Sequence, residues 1–593
     1  MQESREAPPL ETLGDVAFLA SYLDHWGRHT PTTVAATYID YATDRHGLER
    51  SVSYGELDGW TRALAAKISQ VTQPGDRVAL LASQSLEYGA GFLATLRSHA
   101  MSVPLFAPDL PGQGDRLNAV VADCAPTAVL VNRDKLDLVK PFCAAHGISV
   151  DRILVIDDYR ADQDSLVAAY AFPSSIQLDD VAYLQYTSGS TRAPVGVCLT
   201  HRNMVENALQ LRDGYDIHFS SASTVSWLPL FHDMGLILGV AAPVVGGLHS
   251  VVLDPVAFVL KPLRWLQAIS GRTNVMTAAP NFAFDYAVKR VKPEDRKDLD
   301  LSGVIAWING AEPVLPATLE RFAESFAPQG VTELAVKPTY GLAEATVFVA
   351  TPPLHEPATI IEVDSEQLQH GVVTTDVRGE MRPTKLVSCG RAIGQHLAIV
   401  DPETCELLPD GRVGEIWLNG PNIGVGYWNK PDDSEALFNA RLQGGGDLPT
   451  DRWLRTEDLG VVLDGRFYVT GRIKDLIIID GRNVYPHDVE FTVEESHDAI
   501  AQRRLAAFSV PTEAGEALVV VAERYRHHAD AGAQLADVAA AARQAVTREH
   551  AVALHDFVLV EPDTIPRTSS GKIARKASRT GYLAGTLQRT PAA

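Results

Sequence analysis

Short runs of strand-forming residues alternate with longer amphipathic stretches through the first two-thirds of this 593-residue chain, and that alternation limits the available folds most. Arg77-Val-Ala-Leu-Leu-Ala82, Thr127-Ala-Val-Leu-Val131 and Arg152-Ile-Leu-Val-Ile156 are apolar and β-branched, as strands buried on both faces must be. Helical patterns over Ser85 to Arg97 and Asp115 to Asp123 separate them, which predicts α/β layers with substantial parallel pairing. At about 150 residues per domain the chain is too long for one core. After Gly471-Arg-Ile-Lys-Asp475 the composition changes. Short strands (Leu476–Ile479, Ala506–Val510, Leu518–Ala522) and an Ala-rich helix near Leu535 to His550 predict a compact α+β unit. The expected division is residues 1–473 and 474–593. The segment from Leu442 to Pro449 reads as a loose surface loop.

A formal charge of −22 argues against a nucleic-acid binder, which needs broad basic surfaces, but leaves room for a local basic patch. The five cysteines (Cys124, Cys143, Cys198, Cys389, Cys405) are irregularly spaced, as expected of reduced thiols. No secretory signal is visible at Met1 to Pro9, and the most apolar stretch, Met234 to Leu248, is broken by Pro243 and glycines. The expectation is a cytoplasmic protein without a transmembrane segment.

Tyr186-Thr-Ser-Gly-Ser-Thr-Arg-Ala-Pro-Val-Gly-Val197 packs hydroxyls and glycines into one loop after the run Val181-Ala-Tyr-Leu-Gln. Glycine lets the backbone approach a ligand, and Ser and Thr add donors without bulk, so such a loop can wrap phosphates; a flexible turn has the same composition. Four motifs follow in order. Trp307-Ile-Asn-Gly-Ala-Glu-Pro313 suits a backbone cradle for a flat base, and Thr339-Tyr-Gly-Leu-Ala-Glu-Ala-Thr346 offers an aromatic face and a carboxylate. Trp453-Leu-Arg-Thr-Glu-Asp-Leu-Gly460 supplies Asp458, whose oxygens can accept from both ribose hydroxyls, and Ile565-Pro-Arg-Thr-Ser-Ser-Gly-Lys-Ile573 carries Lys572. Singly, Tyr340 reads as well as a core aromatic, Glu344 as a solvated carboxylate, Asp458 as a helix cap and Lys572 as a surface lysine.

Together the five motifs resemble the adenylate-forming superfamily of acyl-CoA synthetases, luciferases and peptide-synthetase adenylation domains, over nearly the whole chain. The resemblance implies a large multi-subdomain N-terminal α/β domain, a small mobile α+β C-terminal domain and an active site between them. Thr187, Ser188, Gly189, Ser190 and Thr191 would hold the phosphates of ATP. Asn309, Gly310, Ala311 and Glu312, with Thr339, Tyr340, Gly341, Leu342 and Ala343, would surround the nucleotide, Tyr340 stacking on adenine. Asp458 and Arg472 would hold the ribose, Glu344 would ligate Mg²⁺, and Lys474 would be the hinge. Lys572 would contact the substrate carboxylate and the α-phosphate. Both partners in the reaction are anions, so a lysine and Mg²⁺ that offset their repulsion suit the chemistry.

Two departures narrow the resemblance. The usual lysine between Pro and Gly is Val195, and the usual threonine before the glutamate is Ala343. With Ser226-Trp-Leu-Pro-Leu-Phe-His-Asp-Met-Gly235, Ala279-Pro-Asn-Phe-Ala-Phe284 and Asp480-Gly-Arg-Asn-Val-Tyr-Pro486, they look like the actinobacterial long-chain fatty acyl-AMP ligases. That branch implies transfer of the acyl group to the phosphopantetheine thiol of an acyl carrier protein, often of a polyketide synthase. It also implies an insertion, here about 351–390, that restrains domain rotation and disfavours CoA thioesters; by length alone that segment is equally a plain surface excursion. His232 could be read as a base, but a fatty acid is already ionised near pH 7, and the resemblance puts His232 at the pocket entrance. Met234 to Val245, Phe282, Phe284 and Tyr286 are candidates for an acyl tunnel and equally for core. An acyl-CoA synthetase, an amino-acid-activating domain and a non-catalytic acyl or nucleotide sensor are the competing readings.

Overall fold

The computed structural model describes residues 17–110, 112–160, 164–187, 194–217, 222–479, 482–512, 515–526, 535–567 and 572–590. The three strands expected near the N terminus form at Arg77–Leu80, Ala128–Val131 and Ile153–Val155, with helices Leu86–Arg97 and Gly114–Cys124 between them. They run parallel in a seven-stranded sheet that also holds Met101–Pro104, Val181–Tyr186, Gly196–Thr200 and Gly426–Tyr427. Val181–Tyr186 pairs antiparallel with Gly196–Thr200, so the Gly/Ser/Thr loop joins the two arms of a hairpin. Ser188, Gly189, Ser190 and Thr191 lie outside the described residues.

A second seven-stranded sheet runs in the order Val336–Pro338, Val304–Gly310, Val275–Pro280, Ser223–Ser226, His249–Leu253, Val34–Asp40, Leu48–Ser53. All its pairs are parallel except the last. One apolar core binds the two sheets and the helices between them. A buried cluster pins three of those helices: Arg97, with a fully buried side chain, meets Asp24 at 2.6 Å and Asp58 at 2.5 Å. A four-stranded antiparallel sheet follows (His396–Val400, Gly414–Asn419, Leu454–Leu463, Arg466–Arg472). Leu442 to Pro449 is less loose than its glycines suggest: Leu442 is buried beside Trp417 and Trp453, and the Trp453 indole N–H donates to the Pro449 carbonyl at 2.7 Å.

Residues from Ile477 onward build their own cores around a three-stranded sheet (Ile500–Thr512, Gly515–Arg524, Leu554–Val560) flanked by helices Pro486–Ser496 and Leu535–His550. The segment from Thr351 to Gly390 is not a loose excursion. Strands Ile360–Val363 and Thr384–Val387 pair antiparallel, and the short helix Ser365–Gln369 starts at Asp364. The Asp364 carboxylate accepts the N–H groups of Gln367, Arg378 and Gly379 at 2.9–3.0 Å, and these donors hold its carboxyl below the usual carboxylate range. Val363, Leu368 and Leu386 share a buried cluster with Tyr485, and the Gln369 amide donates to the His550 carbonyl at 2.9 Å. This hairpin therefore touches the C-terminal unit directly. Among the described residues no helix is long and apolar enough to cross a membrane. All five cysteines are unpaired, four of them buried.

Candidate active site

One cavity of about 1080 Å³ opens between the C-terminal ends of the second sheet's strands, the antiparallel sheet and the C-terminal unit. Ligand crevices in open α/β sheets lie at such strand ends. Thr187, His232, Gly310, Ala311, Glu312, Thr339, Tyr340, Gly341, Leu342, Ala343, Glu344, Asp458, Arg472, Lys474 and Lys572 all line it. They come from seven stretches of sequence spanning almost four hundred residues. Val195, the departure from the usual lysine, lines it as well.

The turn after Val304–Gly310 is tight for a steric reason. A Cβ on Gly310 would come within 2.7 Å of the Thr339 carbonyl, and Ala311 holds φ +65°, which costs an alanine energy. Gly341 is more constrained still, since a Cβ there would stand 1.6 Å from the Val347 carbonyl. Asn309 does not line the cavity. It is fully buried, and its amide donates to the Asn281 side chain at 3.1 Å. Glu312 accepts the Phe282 N–H at 2.6 Å, which caps helix Asn281–Arg290 where backbone donors are unpaired. Burial pushes its carboxyl up, against the opposing pull of Arg503, Lys572 and Arg567.

Tyr340 and Asp458 are one unit. The phenol donates to Asp458 Oδ2 at 2.8 Å, and Arg472 Nε meets Oδ1 at 3.2 Å. Burial raises the Asp458 carboxyl despite Arg472 and the phenol. Glu344 is likewise pushed up by burial, although the Tyr427 hydroxyl donates to Oε1 at 2.8 Å. Lys474, in the turn Ile473–Asp475 between the antiparallel sheet and the C-terminal unit, ion-pairs with Glu457. His232 Nδ1 stands 2.5 Å from Asp233 Oδ1. Burial alone would raise the Asp233 carboxyl, but His232 and Lys572 outweigh it and hold it low.

Burial and the nearby Arg472 bring the Lys572 amine below its ordinary value, with Glu312, Asp233 and Asp458 opposing. Its segment is held on both sides. Arg567 and Ile573 form an antiparallel bridge across it, and the Arg575 guanidinium is bidentate to Glu490 (2.7 Å to each oxygen) and reaches Asp475 at 3.1 Å.

The apolar arm is formed by Met234, Ile237, Leu238, Phe282 and Phe348. Met234 to Leu238 lie on a helix that passes into a π-helical turn over Ile237–Ala241. Pro243 explains the turn: it lacks an N–H for the Gly239 carbonyl, which instead accepts the Ser250 hydroxyl at 2.7 Å. Phe284 is core, packed edge-on against Trp265 and Phe322, and Tyr286 lies away from the cavity with its hydroxyl on the Val259 carbonyl. Val240, Val244 and Val245 are also core. Sequence reasoning missed Tyr427, Asp233, Arg116 and Arg503, all lining the cavity. Asp233 had a signal beside His232; the others stand in no pattern of their own.

Comparison with known proteins agrees with this geometry. A family model described as AMP-binding enzyme matches residues 23–428, and one described as Disco-interacting protein 2-like, AMP domain, matches residues 474–591. The chain belongs to the AMP-binding enzyme family. Over 97% of its length it is 39% identical to the long-chain-fatty-acid–AMP ligase FadD32 of Mycolicibacterium smegmatis, spanning 95% of that protein. It is 38% identical over 96% of its length to the long-chain-fatty-acid–AMP ligase FadD26 of Mycobacterium tuberculosis, spanning 98% of it. A fatty acyl-adenylate ligase of Legionella pneumophila, solved with acyl adenylate and pyrophosphate, is 32% identical with a TM-score of 0.73 and 98% of each chain covered. The α/β adenylate-forming fold and the resemblance to fatty acyl-AMP ligases are thus as expected from sequence.

Proposed function

We propose that this protein activates a long-chain fatty acid with ATP and passes the acyl group to the phosphopantetheine thiol of an acyl carrier protein, in the cytoplasm. The observation that carries the reading is one cavity that joins an apolar arm to a polar end holding Lys572, Asp458, Arg472 and Glu344. In the first step a carboxylate oxygen attacks the α-phosphorus of ATP, an O–P bond forms, and the bond to the β-phosphate oxygen breaks with release of pyrophosphate. Lys572 offsets the charge that gathers on the phosphoryl oxygens without moving a proton. Tyr340 and Arg472 fix the Asp458 carboxylate so that its oxygens can accept from the ribose. Thr187, with Ser188 to Thr191, serves the phosphates, and Gly310 to Glu312 and Thr339 to Ala343 enclose the base.

Glu344 fits a Mg²⁺ site of the kind that takes one protein carboxylate and fills its shell with phosphate oxygens and water. Bound there, Mg²⁺ would neutralise phosphate charge. We further assign residues 1–473 and 474–593 as the two moving bodies, with Lys474 as the hinge. In the second step the thiol, having given its proton to solvent, attacks the acyl carbonyl carbon; the C–S bond forms, the C–O bond to the phosphate breaks, and AMP leaves.

The docking of the inserted hairpin on Tyr485 and His550 supports acyl-AMP ligase over acyl-CoA synthetase, because rotation of the C-terminal unit must break those contacts. The test is mass spectrometry of products formed from ATP, Mg²⁺ and fatty acids of medium to very long chain, with and without CoA. Acyl-AMP that accumulates and yields almost no thioester with CoA is the expected result. Acyl-CoA formed as fast as the adenylate would make the protein an acyl-CoA synthetase, and no adenylate with any acid would leave a binding protein.

A further inference from the structure

Arg503 is tied at its amide, its carbonyl and its side chain. It lies in strand Ile500–Thr512 where the register breaks: Ile500 pairs with Arg524, and the next pair is Leu505 with Ala522. The extra residues bulge out, and Arg503 adopts φ +56°, a conformation that an arginine holds only when its surroundings impose it. Its N–H donates to Glu494 at 2.6 Å, and its carbonyl accepts the Arg567 guanidinium at 2.7 Å. Its own guanidinium crosses to the N-terminal body, where it donates to Thr318 Oγ1 at 3.1 Å and ion-pairs with Asp285. The Asp285 side chain is 5% exposed and is also fixed by the Thr318 hydroxyl at 2.8 Å and by Arg321 at 2.9 Å.

The contacts form a continuous path. Asp285 sits on helix Asn281–Arg290, whose Phe282 lines the apolar arm. Arg503 joins that helix to Arg567, and Arg567 bridges to Ile573 across the segment that presents Lys572 to the cavity. Bulges re-aim side chains beside active sites, and this one points a cation between two bodies that must separate later in the cycle. We infer that Arg503 is a positioning residue: by gripping Asp285 it holds the C-terminal unit where Lys572 can reach the α-phosphate. This inference rests on the adenylate-forming reading.

The test compares wild type, R503M, R503K, D285N and R503M/D285N in acyl-AMP formation, followed by pyrophosphate release, with Tm measured for each. R503M should lower kcat about tenfold, near the low end for breaking an interfacial charge pair because Arg321 remains to neutralise Asp285. KM for ATP should change less than twofold, since Lys572 acts in the transition state. The double variant should be no worse than the poorer single variant, because both remove one interaction. R503K keeps the cation but not the fork and should fall between wild type and R503M; it also carries the test if R503M fails to fold. A wild-type kcat in R503M, or losses that multiply in the double variant, would overturn the inference. Failure of wild type to form acyl-AMP would instead remove the reading beneath it.

Discussion

Loosening the hairpin formed by Ile360–Val363 and Thr384–Val387 should create CoA ligase activity. The perturbation is Leu368→Ala with Gln369→Ala, on the helix that faces the C-terminal unit. Leu368 is 3% exposed in a cluster shared with Tyr485 and Leu476. A buried Leu→Ala change costs roughly 2–5 kcal/mol in all, but part of that side chain serves the hairpin itself, so about 1.5–2 kcal/mol falls on docking. The Gln369 amide gives up its 2.9 Å bond to the His550 carbonyl, a loss of about 1 kcal/mol. Gln369 Oε1 is buried without a partner, so its removal sheds a small cost and places that loss nearer 0.5 kcal/mol. The neighbouring Arg382–Glu549 pair is 3.6 Å long with Arg382 64% exposed and adds little. The sum, about 2–2.5 kcal/mol, shifts the docked-to-free equilibrium by roughly 30- to 70-fold. Acyl-CoA formation should rise by up to that factor, and hydrogen exchange at Ser365–Gln369 and the start of Pro486–Ser496 should quicken with it. Faster exchange with acyl-CoA still at the wild-type level would refute the reasoning, because the hairpin would then be freed without consequence for CoA.

Lys572→Met should lower kcat for acyl-AMP formation about 10²- to 10³-fold with little change in KM for the fatty acid, measured by pyrophosphate release. Glu344→Gln should raise the Tm of the ligand-free protein at pH 7 while weakening its stabilisation by ATP and Mg²⁺. The sign follows from the raised carboxyl. Glu344 binds its proton more tightly in the folded state than in the unfolded chain, so stability falls as pH climbs from the unfolded value near 4 through the folded one. The difference between wild type and variant should therefore vanish near pH 4 in thermal scans. Lys337 donates to the carbonyls of Pro353, Leu354 and Glu356 at 2.7–2.8 Å, and burial pushes its amine down to about 8. Because the unfolded lysine titrates near 10.4, this group's contribution to stability rises with pH between about 8 and 10.4. Lys337→Met should abolish that rise and speed hydrogen exchange at Leu354 to Glu356, as read by mass spectrometry.

The parts of the site that were legible in sequence are those where local sterics demand particular residues. Gly310 and Gly341 stand where carbonyls leave no room for a Cβ, so glycine marks the turns that bring Ala311 and Leu342 to the cavity. Asp458 and Arg472 are register partners on adjacent strands, and their motifs lie fourteen residues apart. The acyl wall was only half legible, for want of a period. On helix Asn281–Arg290, Phe284 lies two residues from Phe282 and so faces away from it into the core. What stayed hidden are partners brought together by the fold alone. Tyr427 and Glu344 are 83 residues apart, and Arg503 and Asp285 are 218 apart, with no pattern around either pair. The hairpin's helix was hidden for a similar reason: Ser365–Gln369 is one turn long and owes its start to Asp364, not to an amphipathic stripe.

The C-terminal unit is thus restrained on two separate surfaces, by the hairpin at Tyr485 and His550 and by Asp285 at Arg503. Both contacts exist in the arrangement that puts Lys572 in the cavity, so both oppose the rotation that thioester formation would require. A ligand moves such an equilibrium only by the difference in its affinity for the two states. CoA offers a small contact surface outside the cavity, whereas a carrier protein brings an interface of several hundred Å² that can favour the rotated state. Restraint on two surfaces would then discriminate between thiols carrying the same pantetheine arm by the size of what is attached to it. Variants at the two surfaces should consequently diverge. Leu368→Ala/Gln369→Ala admits CoA while sparing adenylation, whereas R503M weakens adenylation itself, because the Arg503 carbonyl accepts from Arg567 at the base of the segment that presents Lys572.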